Sequence, residues 1–99
     1  MAESDKNQLK PVIWTDYLEY KLSIRGFEKK IVEQILRQTH ERYKDQETGR
    51  LIAIGSHGAD LVMIPYEINS DAYTPITIHV TSRQQVNIRI KSGRLISNE

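Results

Sequence analysis

The chain has 99 residues, 38% hydrophobic and 27% charged, with a net charge of +1 and no cysteine. This describes one folded domain with a modest core, and it excludes disulfides, thiolate metal sites and nucleic-acid binding through a basic charge of the whole molecule. No apolar run approaches the ~18 residues of a membrane span and no signal-peptide pattern opens the chain, so a cytoplasmic protein without membrane contact is expected.

Residues 1–10, MAESDKNQLK, are polar and aperiodic, and a flexible N-terminus is expected there. Pro11 opens an extended entry. Thr15 or Asp16 can cap a helix, and Asp16 with Glu19 fits a loose capping box. Leu18 and Leu22 stand one helical turn apart, and Gly26 is a suitable stop. A second helix is predicted from about Phe27 to Thr39. Phe27, Ile31 and Ile35 form one apolar row and Val32 and Leu36 a second beside it.

After His40 the period changes to two. Residues 41–45 read as a short strand, DQETGR as a turn, residues 50–55 as a strand and SHGAD as another turn. Residues 60–68, DLVMIPYEI, have the apolar continuity of a central strand. Pro65 cannot donate a ladder hydrogen bond, so a bulge or an unpaired side is expected near it. NSDAYTP is a loop, and TPITIHVT the last clear strand. It carries Ile76, Ile78 and Val80 on one side, against Ile31 and Ile35, with Thr77, His79 and Thr81 on the other.

In SRQQVNIRIKSG two signals compete. Ser82 with Gln85 suits a capping box and Gly93 a helix stop, whereas the alternation of Val86, Ile88 and Ile90 and their β-branching favour a strand. The expected fold is a single α+β domain over residues 11–91, followed by a flexible C-terminus at 92–99. Two N-terminal helices pack on one face of a three- to four-stranded antiparallel sheet.

The three histidines, His40, His57 and His79, lack metal-ligand spacing, and no cofactor or nucleotide motif is present. His40 suits a helix C-terminus, and His57 a solvated turn. His79 differs because a strand centre fixes its side chain. Around it stand cations and hydroxyls on or near strands: Arg42, Tyr43, Lys44, Arg50, Thr77, Thr81 and Arg83. A cationic run, Arg89, Lys91 and Arg94, follows. RNA cleavage without metal needs little more. A base takes the ribose 2′-hydroxyl proton, cations stabilise the crowded phosphate, and an acid protonates the leaving 5′-oxygen. A polar strand face with a solvated tail has the same composition.

The segments YKLSIRGFEKKIVEQIL, ERYKDQETGRLIAIG, LVMIPYE and ITIHVTSR resemble small bacterial domains related to BrnT and, more distantly, to RelE-like toxins of toxin–antitoxin systems. The resemblance spans about residues 15–83. It implies a compact RelE-like α+β fold and a metal-independent ribonuclease held inactive by an antitoxin from a neighbouring gene. In this chain TSR, ending at Arg83, stands where such domains end their last strand, and Arg50 matches the arginine closing the hairpin. After Arg83 the chain departs from the Lys/Glu-rich helix of BrnT-like toxins. The expected catalytic set is His79 as acid or base, Arg50 and Arg83 on the phosphate, and Tyr43 in support. Lys44, Arg42, Arg89, Lys91 and Arg94 are expected to bind RNA, with no metal and no cofactor. The other reading is a non-catalytic RNA- or protein-binding module of the same fold.

Overall fold

The computed structural model describes residues 10–98, and the expected flexible N-terminus lies almost wholly outside the described residues. Helix α1 is Asp16–Arg25. Thr15 caps it, its Oγ1 accepting from the Leu18 N–H at 3.2 Å. After a sharp reversal at Gly26, helix α2 is Lys29–Gln38. Both helices lie on one face of an α+β fold.

Among the described residues six strands form the sheet, more than the three or four expected: β1 Arg42–Asp45, β2 Leu51–His57, β3 Asp60–Ile68, β4 Tyr73–Pro75, β5 His79–Thr81 and β6 Leu95–Ser97. The order is β4-β3-β2-β1-β6, the named strands pair antiparallel, and β5 continues along the β4 edge of β3. Side chains alternate between faces along each strand. Ala53, Val62, Ile64, Tyr66 and Ile78 therefore bury themselves against Leu18, Leu22, Val32, Ile35 and Leu36 of the helix pair. Ile52, Ile54 and Met63 point to the other face.

That second face is covered in part by helix α3, Arg83–Lys91, where the β-branched alternation favours a strand. Both local end signals are used. Ser82 Oγ accepts from the Gln85 N–H at 3.1 Å. At the other end Gly93, at φ 81°, closes a Schellman turn in which Arg94 N–H bonds Arg89 C=O and Gly93 N–H bonds Ile90 C=O. Of the three β-branched residues only Val86 is buried, against Ile52, Ile54, Met63 and Leu95, while Ile88 is exposed. The expected flexible C-terminus is also corrected. Residues 95–97 are β6, which pairs with β1 in the register Asp45↔Leu95 and inserts Leu95 into this second core.

The bulge called for by Pro65 is present. Tyr66 faces Pro75, whereas Met63 faces His79, so four steps of the edge chain pass three of β3. The extra residue reverses the side-chain alternation. Ile78 goes into the helix-pair core, Val80 is half exposed, and Ile76 joins neither core. The expected row of Ile76, Ile78 and Val80 against Ile31 and Ile35 is thus reduced to Ile78.

Helix α2 approaches β2 unusually closely at Gly55. A Cβ there would stand 2.8 Å from both Cγ1 and Cγ2 of Ile35. Gly55→Ala is expected to destabilise the domain by about 1–3 kcal/mol, as overpacking does. Adding Ile35→Ala should recover part of that loss, measured by urea unfolding, and additive losses would contradict the clash.

Candidate functional site

The bulge also decides what His79 faces. His79 stands opposite Met63 and Thr81 opposite Leu61, so both side chains lie on the α3 side of the sheet. Thr77, within the bulge, leaves this row and accepts a hydrogen bond from Lys21 Nζ of α1 at 2.8 Å.

Because α3 covers only part of its face, a cleft of about 400 Å³ remains beside it. Ile52, Met63 and Pro65 form the floor. One wall is His79 and Thr81 on β5, and the second is Gln85 and Arg89 on α3. The β1–β2 hairpin supplies Asp45, Thr48 and Arg50, and Arg94 closes the rim. His79, Arg50, Arg89 and Arg94, drawn from four different segments, therefore line one concavity.

Their electrostatic states differ. Arg50 is exposed, and among the described residues nothing engages its guanidinium. Among the described residues the Arg89 guanidinium bonds only a soft acceptor, Met63 Sδ at 3.6 Å. Arg94 is already neutralised: its Nε and Nη2 each lie 3.2 Å from a carboxylate oxygen of Asp45, and Glu47 is 3.7 Å from it. Asp45 is buried, and burial alone would raise its pKa. The Arg94 hydrogen bond and the N–H groups of Glu47 and Thr48 outweigh that and hold the carboxyl below its usual value. This cluster ties the hairpin to the segment after α3.

His79 is solvent-accessible but partly desolvated at the cleft wall. That desolvation, and then the positive charges of Lys21, Arg25 and Arg89, push the imidazole pKa below its ordinary value. Its favoured form at neutral pH is the neutral ring, which can accept a proton.

The other expected site residues lie elsewhere. Arg83 holds Glu41 with two parallel hydrogen bonds and is not part of the cleft wall. Tyr43 donates to the same carboxylate at 2.8 Å. The Arg83 hydrogen bond chiefly lowers the Glu41 pKa, while burial and the Glu41 bond raise that of the Tyr43 phenol. Arg42 is structural. Its guanidinium donates to the Leu36 and Thr39 carbonyls at the end of α2 and to the Tyr66 hydroxyl. Lys44 alternates to the face opposite Tyr43, and Lys91 is exposed at the end of α3, outside the cleft. His57 is not a solvated turn residue: its Nε2 accepts the Glu28 N–H at 2.8 Å, and its ring meets Phe27 edge-on.

Thr48 and Gln85 reach the cleft without having stood out in the sequence. Gln85 has a visible role as a capping-box residue, yet its Oε1 accepts from Thr81 Oγ1 across the cleft wall at 3.2 Å. Among the described residues, no group of three or more histidines and carboxylates is arranged to hold a metal ion, and no helix is long and apolar enough to cross a membrane. Comparisons with protein-family models, with curated proteins and with solved structures find no match.

Proposed function

We propose that the cleft binds the sugar–phosphate backbone of RNA and that His79 starts a metal-independent cleavage there. The observation that carries this reading is the placing of a histidine biased to its neutral form in one concavity with the uncommitted cations Arg50 and Arg89. A guanidinium fork matches two phosphate oxygens at once. Neutral imidazole takes the 2′-hydroxyl proton, O2′ attacks phosphorus, and the bond to O5′ breaks to leave a 2′,3′-cyclic phosphate. The departing oxygen takes its proton from solvent, since the cleft offers no second imidazole. The resemblance to BrnT and RelE-like toxins supports the same reaction class. It extends the proposal to a RelE-like domain acting in the cytoplasm and restrained by an antitoxin partner.

One observation favours a second reading, RNA binding without cleavage. The arginine expected on the phosphate, Arg83, is held by Glu41 outside the cleft. One experiment separates the two. Affinity for labelled RNA is measured against salt, and product formation is followed in EDTA. The Arg50→Gln/Arg89→Gln protein is expected to bind weakly, with a salt slope flatter by about 0.7 per lost phosphate contact. An unchanged slope would remove the cleft from RNA binding, and binding without product would select the second reading. Growth arrest on expression, relieved by the neighbouring gene product, tests the toxin–antitoxin part.

A further inference from the structure

The outer face of α1 is unusual for a helix that has already buried one side. Leu18 and Leu22 fill the core, yet Tyr17, Tyr20 and Ile24 are 58%, 64% and 61% exposed. At 100° per residue these three form one stripe, and Lys21 and Arg25 form a row between the stripe and the core. Among the described residues, no hydrogen bond, ion pair or ring contact engages Tyr17, Tyr20 or Arg25. The α1 carboxylates, Asp16 and Glu19, stand in its first turn, and Glu19 is paired with Lys29.

The cation row is joined to the cleft. Lys21 Nζ bonds Thr77 Oγ1 in the bulge, two residues before His79. The charges of Lys21 and Arg25 are felt at the His79 ring. From the cleft outward the order is His79, the Lys21/Arg25 row, then the aromatic stripe. Alternating cations and aromatic faces continuous with a phosphate-binding cleft suit a single-stranded nucleic acid, whose charges and bases alternate in the same way.

Resting on the RNA reading above, we propose that the strand leaves the cleft over the β5 edge and crosses α1. There Lys21 and Arg25 take its phosphates, and Tyr17 and Tyr20 stack on its bases. The bound RNA is then a single-stranded segment several nucleotides long, selected by flexibility and stacking rather than by a base code.

The test uses fluorescein-labelled 2′-O-methyl oligouridylates, which resist cleavage, of about 3 and about 10 nucleotides, within and beyond the reach of the cleft. The longer probe is expected to bind tighter. Tyr17→Ala/Tyr20→Ala should weaken the longer probe by about tenfold or more and leave the shorter unchanged. Tyr17→Phe/Tyr20→Phe should bind like the parent, because stacking needs the ring and not the hydroxyl. Lys21→Gln/Arg25→Gln should flatten the salt slope for the longer probe alone. If the alanine pair binds the longer probe normally while Arg50→Gln/Arg89→Gln weakens both, the α1 track is wrong and the cleft reading stands. Equal loss in the phenylalanine pair overturns stacking, and failure of the parent to bind either probe overturns both proposals.

Discussion

His79→Ala is expected to slow RNA cleavage in EDTA by about 10²–10⁴-fold, the range for a positioned general base. The unfolding free energy should change by no more than ~0.5 kcal/mol, because the side chain is exposed. The pH dependence follows from the same environment. Only the neutral ring accepts the 2′-hydroxyl proton, so the rate must rise with pH. Desolvation and the Lys21, Arg25 and Arg89 charges lower the pKa, so the midpoint of the rise lies below the ordinary imidazole value. Lys21→Gln removes one of those charges, and the midpoint of the profile should move upward. A fully active His79→Ala protein, or a midpoint indifferent to Lys21, would end this role. The arginines divide in the same assay: Arg50→Lys should impair cleavage, whereas Arg83→Lys should act only through the Glu41 pair.

Ile78→Ala should cost about 2–5 kcal/mol in urea unfolding, as removal of a buried isoleucine side chain does. Ile78 is 1% exposed and belongs to the core beneath α1 and α2. For a small domain that is a large share of a total stability near 5–15 kcal/mol. The neighbouring Val80→Ala, on a half-exposed residue, is the control and should change little. Both residues lie on the helix side of the sheet, Val80 opposite Val62, so the contrast tests how far along the strand that core extends. Equal effects of Ile78→Ala and Val80→Ala would show that Ile78 does not fill the core in preference to Val80.

Much of the fold is local and was legible as such. The stripes of Val32, Ile35 and Leu36 in α2 and Leu18 and Leu22 in α1 require only helical periodicity and a face to bury. The glycine turns and alternating strands from residue 42 to residue 68 follow from backbone geometry within a few residues. Pro65 marked either a bulge or an unpaired side, because proline lacks the N–H that an unbroken ladder would use, and the fold has the bulge. The ends of α3 were marked by Ser82 and Gly93, but propensity pointed the other way. Burial of Val86 between Ile52 and Leu95, which adjoin only in the folded chain, decided it. Leu95 itself became a strand residue only because β1 offered an open edge.

The site divides along the same line. The sequence determined which side chains carry charge and that His79 sits on a strand. Which arginines remain available was a tertiary decision. Arg83 is neutralised by Glu41 across 42 positions and Arg94 by Asp45 across 49, whereas among the described residues no carboxylate pairs with Arg50. Long flexible side chains choose partners by distance in space, and no periodicity along the chain encodes that choice. A one-residue slip in the edge strand likewise moves every following side chain to the other face. It placed His79 and Thr81 in the cleft and sent Thr77 to Lys21.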